Sequence, residues 1–412
     1  MSGIHSLDQI YAKDKLQFQK SRYQKAKEEF EKLYGDQEIR FFSAPGRTEV
    51  GGNHTDHNMG RVLAAGVSLD VIAAVVKTDD GIIEVKSEGF PKDVIDTGSL
   101  EPVESEKNTS AALIRGVCRG FADRGYKIGG FKAYTTSNVL KGSGLSSSAA
   151  FEVLIGSILR GLYGSEVSDV ETAQIAQLAE NEFFGKPSGL MDQMASSVGG
   201  FITIDFKDPK NPVIEKINFD FAKSGHSLCI VDTKGNHADL TPEYAAIPTE
   251  MKQVAGAFGK THLRGISKDE IIKNISSLRE SFGDRAVLRA LHFTDDNERV
   301  VREAKALENG DFDSFLKEIK ASGDSSYKYL QNIYAGKEPR EQGLATGLYL
   351  ADYVLDGKGA CRVHGGGFAG TIQAFVPDEK LERFMSVMNS AFGDGACHVL
   401  SIRPFGGTEV TV

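Results

Sequence analysis

Apolar residues recur at helical spacing in some stretches of this chain and form short β-branched runs in others. From Leu7 to Tyr34, Leu16, Tyr23, Phe30 and Leu33 interrupt a Lys/Glu-rich surface, and Gly35-Asp36 ends the pattern, which predicts an amphipathic helix. Residues 39–43 predict a strand that runs into Ala44-Pro45-Gly46. Residues 67–76 are almost continuously apolar, as in a buried strand, and residues 81–87 read as a hairpin partner across Asp79-Asp80-Gly81. A helix over 111–125, a strand over 130–136, a strongly apolar helix over 149–162 and another helix over 170–184 follow. A strand over 200–205 opens the second half, and the lobe boundary is placed just before it, giving lobes of 1–198 and 199–412. Further strands are expected at 226–233, 371–376 and 396–403, with helical stretches at 267–307, 312–334, 345–355 and 378–392. No internal repeat or low-complexity segment interrupts this order.

Three glycine-rich stretches stand out against the periodic pattern. They run from Ala44 to Asn58, from Lys141 to Ala150 and from Val363 to Gly370. Glycine lets the backbone turn tightly and approach a ligand closely, and successive unobstructed N–H groups suit a phosphate. The second stretch leads into the apolar helix, so Ser146, Ser147 and Ser148 fall at a helix N-terminus, where unpaired N–H groups and the positive dipole end favour an anion. Gly365-x-Gly367-x-x-Gly370 matches a dinucleotide-binding spacing, but that fingerprint needs a strand before it and a helix after it. Here a helical stretch precedes and the strand over 371–376 follows, which excludes it. No GxxxxGK[ST] loop is present, so a P-loop kinase is excluded as well.

Composition narrows the partners. The chain has 412 residues, 40% hydrophobic and 25% charged, with a formal net charge of −9 and no basic run. These values describe a globular protein of two lobes and disfavour nucleic acid or an anionic membrane as partner, while leaving room for an anionic small ligand. Cys118, Cys229, Cys361 and Cys397 are scattered without metal-type spacing, as for reduced thiols. The first thirty residues are polar, and no run approaches a membrane span, so a soluble, cytoplasmic protein is expected, monomeric or weakly homo-oligomeric. His54-Thr55-Asp56-His57 lacks a further clustered ligand for a metal of its own.

Taken together, the stretches resemble the signatures of the GHMP small-molecule kinases and, within them, the galactokinases. The first is similar to Gly-Arg-x-Asn-x-x-Gly-Glu-His-Thr-Asp-Tyr-Asn, and the second to the Gly-Leu-(Gly/Ser)-Ser-Ser-Ala phosphate loop. Glu180 to Gln193 resembles the segment ending Cys-Gly-Ile-Met-Asp-Gln, and the third stretch resembles Gly-Gly-Gly-Phe-Gly-Gly. The resemblance implies a two-lobed α+β fold with mixed and antiparallel sheets, an active site in the interlobe cleft, and MgATP-dependent phosphorylation of a sugar at its anomeric hydroxyl. It implies Asp192 as catalytic base and Arg47 as its partner, which keeps the carboxylate ionised. It assigns the ATP phosphates to Gly142, Ser143, Gly144, Leu145, Ser146, Ser147 and Ser148, and magnesium to Ser147 and Glu180. Asn53, His54, Asp56, Gly189 and Tyr244 are implied at the sugar, and Gly365, Gly366 and Gly367 behind substrate and phosphates.

The chain departs from the pattern mainly on the sugar side. Asn53 stands where the family has Glu, Thr48-Glu49 where an apolar residue and Asn are usual, His57 for Tyr, and Ala64 for Pro. A lost carboxylate at position 53 would no longer repel an anion, so a sugar with a C6 carboxylate, such as galacturonic acid, or an N-acetylhexosamine, is an alternative acceptor to galactose. A non-catalytic sugar and ATP sensor is an alternative of another class, one with no need of an Arg47–Asp192 pair.

Overall fold

A computed structural model of the chain describes residues 3–140, 144–235, 240–336 and 339–412. The described strands are β1 (Ile4–Ser6), β2 (Arg40–Gly51), β3 (Arg61–Lys77), β4 (Ile82–Ser87), β5 (Lys92–Asp96), β6 (Phe131–Ser137), β7 (Phe201–Asp205), β8 (Val213–Ile217), β9 (His226–Asp232), β10 (Ala360–His364), β11 (Thr371–Pro377), β12 (Cys397–Leu400) and β13 (Thr408–Thr411). One sheet has the order β1-β13-β2-β3-β6-β4-β5, with β7 paired to β3 and β8 to β7; the other has the order β10-β11-β9-β12.

The long antiparallel pair β2–β3 carries the first glycine stretch. Its register shifts between Pro45 and Arg47 and again between Glu49 and Gly51. Such bulges bend a strand and re-aim its side chains, and here they fall beside Arg47 and Glu49. The helix Ser147–Tyr163 lies behind this pair, burying Val153, Leu154 and Ile158 in one core with Phe42, Ala44 and Val71. Each such aliphatic side chain contributes roughly 1.5–3 kcal/mol by leaving water. The core continues through Val50, Phe315 and Ile319 to Leu228 and Phe375, so the two sheets pack against a shared interior. The helices Gly343–Leu355 and Leu381–Phe392 cover the second sheet. The helical stretch Ile275–Glu308, broken at Gly283 (φ +81), packs on the helix Thr241–Ala257.

Two features depart from the local pattern. Residues 67–76 and 81–87 are strands, but they do not form a hairpin: β6 lies between β3 and β4, antiparallel to β3 and parallel to β4, while β4 pairs with β5. The Asp79-Asp80-Gly81 turn is present, yet Thr78 N–H bonds to the Gly130 carbonyl, which feeds β6 into the gap. The lobe boundary at 198/199 precedes β7, β8 and β13, all of which pair in the first sheet. Strand propensity marks such segments as extended, but it does not name their partners.

Candidate active site

The carboxylate of Asp192 is held from two sides. It sits in the first turn of the helix Met191–Val198, and Arg47 on β2 grips it through Nε to Oδ1 and Nη2 to Oδ2, each at 2.7 Å. Ser146 Oγ donates to Asp192 Oδ2 at 2.6 Å. Burial pushes the Asp192 carboxyl up, but the Arg47 charge, its hydrogen bonds and that of Ser146 outweigh it and hold the group below the usual carboxylate range. Arg47 also binds the second stretch directly: Nη1 donates to the Gly144 carbonyl, and the Arg47 N–H donates to the Leu145 carbonyl at 3.0 Å.

The second stretch turns into its helix through two left-handed residues, Gly144 (φ +71) and Ser146 (φ +55). Ser146, expected at the phosphates, spends its hydroxyl on Asp192 instead, because this backbone turn aims it at the helix Met191–Val198. Ser147 and Ser148 line a cavity of about 1110 Å³ whose walls include Ser87, Phe90, Asn108, Thr136 and Phe184. Gly142 and Ser143 lie outside the described residues. A larger groove of about 1450 Å³, between Phe18, Lys216 and His398, is lined by none of the described glycine-stretch residues.

Glu180 bonds to Ser148 of the cavity wall from a π-helical turn, Ala179–Phe184, that ends the helix Asp169–Leu178. Its Oε1 accepts from Ser148 Oγ at 2.8 Å and from Lys186 Nζ at 3.0 Å; its Oε2 accepts from Gln193 Nε2 at 2.8 Å. The hydroxyl bonded to Glu180 is thus that of Ser148 rather than of Ser147. Gln193 Nε2 also reaches Glu152 Oε2 at 3.2 Å. Glu152 is fully buried, and burial together with the Glu180 charge pushes its carboxyl well above the usual carboxylate range.

Three successive carbonyls of the third stretch are held, two by the first stretch and one by Tyr244. Asn53 Nδ2 donates to Gly365 O at 2.8 Å, and His54 Nε2 bonds Gly366 O at 2.9 Å. Tyr244 Oη donates to Gly367 O at 2.9 Å. Glycine is required here sterically: a Cβ on Gly366 would lie 2.7 Å from the Tyr244 ring, and Gly367 (φ +84) packs on the backbone of Asn332. His364 completes the junction, with Nε2 at 3.0 Å from Thr48 Oγ1 and its ring against Gly144.

Within this junction His54 and Asn53 behave differently from one another. A carbonyl only accepts, so the bond to Gly366 O fixes the proton of His54 on Nε2 and leaves Nδ1 with a buried lone pair that has no partner. Burial and the neighbouring His57 push the His54 pKa down to about 4. Asp56 lies beside it, 21% exposed, with Oδ2 against Gly189, so Asp56 borders the segment that carries Asp192. Asn53, expected at the sugar, is fully buried and committed inside the protein. Besides Gly365 O, its Nδ2 donates to Glu49 Oε1 at 2.9 Å, while its Oδ1 accepts from Asn332 Nδ2 at 2.9 Å and Ser326 Oγ at 3.2 Å. Glu49 is bound in turn by Arg362 Nη2 at 2.8 Å.

Sequence reasoning gave no role to Glu49, Arg362, Asn332, Gln193 or Lys186. Gln193 was legible as the neighbour of Asp192. Glu49 stood in the first stretch as a departure and Lys186 in the segment before Asp192, whereas Arg362 and Asn332 come from distant elements whose approach no local pattern signals.

The chain resembles known proteins along most of its length. The family model described as GHMP kinases N terminal domain matches residues 112–200, and the galactokinase galactose-binding signature matches residues 28–77. A galactokinase of Actinobacillus pleuropneumoniae serotype 3 is 30% identical over 370 residues, covering 89% of this chain and 92% of its own. A galactokinase of Thermotoga petrophila is 30% identical over 331 residues, covering 80% of this chain and 87% of its own. Lactococcus lactis galactokinase complexed with galactose shares the fold with a TM-score of 0.78 at 24% identity, over 94% of this chain and 99% of that one. Methanococcus jannaschii mevalonate kinase shares it with a TM-score of 0.63 at 16% identity, over 89% and 98%. With both family signatures in place and near-complete coverage of relatives at 30% identity, the chain belongs to the galactokinase family of GHMP kinases and has their two-lobed α+β fold.

Proposed function

We propose that the protein transfers the γ-phosphoryl group of ATP to the anomeric hydroxyl of galactose, giving galactose 1-phosphate and ADP. The observation that carries this reading is the bidentate Arg47–Asp192 pair, joined through Ser146 to the helix N-terminus that borders the cavity. That cavity takes the nucleoside, and the N–H groups at the start of the helix Ser147–Tyr163 receive the phosphates. Asp192 orients the sugar hydroxyl and takes its proton late in transfer, when the forming O–P bond has made it acidic; a strongly basic group is not needed. Arg47 keeps Asp192 ionised and adds positive charge beside the transferring group.

The donor set at Glu180 fits Mg²⁺: hard oxygens from Glu180 and Ser148, with Ser147 beside Ser148 in the wall of the same cavity. Bound there, Mg²⁺ would neutralise charge on the phosphates. At the sugar, the His54 Nδ1 lone pair and the Asp56 carboxylate are both acceptors. They suit the hydroxyls of a neutral sugar and oppose a C6 carboxylate, and with Asn53 withdrawn into the interior the case for galacturonate loses its basis. Cytoplasmic location and a monomeric or weakly associating state complete the proposal; among the described residues no helix is long and apolar enough to cross a membrane, and all four cysteines are buried thiols.

The test is ADP release with MgATP over galactose, galacturonate, N-acetylgalactosamine and glucose. Galactose should give the highest kcat/KM, and Asp192→Asn should lower kcat by about 10²–10⁴-fold with galactose binding retained. Undiminished turnover in Asp192→Asn refutes its role. Binding of ATP and galactose without turnover by the wild type establishes the sensor instead.

A further inference from the structure

The turn after Glu180 delivers a lysine to the site. Gly185 (φ +89) closes the π-helical turn, and the N–H groups of Gly185 and Lys186 both donate to the Glu180 carbonyl, at 3.1 Å each. The chain thereby folds back on Glu180, and Lys186 Nζ reaches its Oε1. The partners differ in exposure: the lysine side chain is 56% exposed and the glutamate 2%. A fixed backbone thus carries a largely solvated side chain onto a buried carboxylate.

That head group is well placed to move. The Glu180 oxygen it holds also accepts from Ser148, and Ser148 and Phe184 line the nucleotide-sized cavity. Its charge reaches Asp192 and Glu152. Arg47, by contrast, is locked between Asp192 and the Gly144 carbonyl. Removing Lys186 from Glu180 with no replacement leaves a buried carboxylate uncompensated, which is costly. Exchanging it for another cation costs little, because the ammonium is already mostly in water. Departure of the lysine is therefore tied to arrival of a second cation. Building on the kinase reading above, we propose that Lys186 is a phosphate-binding residue stored on Glu180 in the nucleotide-free protein and released to the terminal phosphates of ATP as Glu180 takes a divalent cation.

The experiment needs no turnover. ATP and AMP are titrated calorimetrically in excess Mg²⁺ and again in EDTA, without sugar, into the wild type, Lys186→Met and Lys186→Arg, and Mn²⁺ alone is titrated by electron paramagnetic resonance. Lys186→Met should weaken ATP in Mg²⁺ by about tenfold, with a smaller loss in EDTA where the lysine stays on Glu180, while leaving AMP within about twofold, since AMP lacks the terminal phosphates. The same variant should bind Mn²⁺ alone more tightly, because the competing ammonium is gone. Lys186→Arg should hold ATP within about threefold of wild type. Unchanged ATP affinity or unchanged Mn²⁺ affinity in Lys186→Met overturns the proposal, as does an equal loss for AMP, which marks a purely structural role. Sugar turnover by the wild type is measured separately, so a failure of the kinase reading is distinguishable from a failure of the lysine.

Discussion

Glu303 offers a stability test whose size follows from its surroundings. It lies on the helical stretch Ile275–Glu308, fully buried, with neither carboxyl oxygen hydrogen-bonded. Its carboxyl occupies the space that a side chain at Gly51 would need. Burial and then the charge of Asp296 push its pKa up from 4.5 to about 8, against the partial relief of Arg362 and Arg299. Between those values the folded state keeps a proton that the unfolded chain releases. The group's contribution is therefore intact below pH 4.5 and is lost as pH rises through 8, at about 1.4 kcal/mol per pH unit and on the order of 5 kcal/mol in full. Glu303→Gln keeps the shape and removes the titration. Urea unfolding of both proteins at pH 5, 6, 7 and 8 should show the variant gaining on wild type with each step. Parallel stability curves would falsify the assignment of a protonated Glu303.

Three further outcomes follow from the same junction. Asn53→Glu alone sets a second carboxylate against Glu49 in a buried site and should cost about 3–5 kcal/mol, whereas Glu49→Asn with Asn53→Glu restores an acid–amide pair; additive losses in thermal unfolding would refute the pairing. Gly367→Ala forces a left-handed residue into the backbone of Asn332 and should lower stability by at least about 1–3 kcal/mol and raise KM for sugar, so wild-type values in both would contradict the packing described. For pH, His54 is neutral above about 4 and Asp192 is ionised from below the usual carboxylate range, so kcat/KM for galactose should show no limb due to either between pH 5.5 and 8. An inflection near pH 6.5 that disappears in His54→Asn would count against the tautomer deduced from Gly366.

The parts of the site held by one element were legible in the sequence. The apolar helix after the second stretch predicted a serine run at an N-terminus, and the helix begins at Ser147. Residues 39–43 and 67–76 read as strands and lie at the start of β2 and within β3, but β2 runs on through the first glycine stretch to Gly51 and β3 begins earlier, at Arg61, because bulges let the pair pass residues that carry no strand pattern. Local pattern gave no warning that β6 separates β3 from β4, since turn chemistry reports a reversal and not what fills the space beside it. The helix Thr241–Ala257 was hidden by Pro248, and the π-helical end of residues 179–184 by an uninterrupted helical pattern. In each case tertiary contacts decide what local preference leaves open.

Asn53 shows why a residue type alone misled about substrate. Read singly, it is a carboxylate lost from the sugar side. Read with Glu49, it is one half of an exchange: the acid expected at 53 stands at 49, the amide expected at 49 stands at 53, and the two side chains meet at 2.9 Å. The negative charge has moved by four residues along a bulged strand, to where Arg362 neutralises it. The amide then has both of its donors and its acceptor engaged, with Gly365, Glu49, Asn332 and Ser326 as partners. A buried polar group so satisfied is costly to withdraw, because each partner left behind is buried too. On the galactokinase reading proposed above, residue 53 acts on the sugar through the third glycine stretch, by fixing the carbonyl of Gly365, and the groups left to choose the substrate are the acceptors beside it, His54 Nδ1 and Asp56.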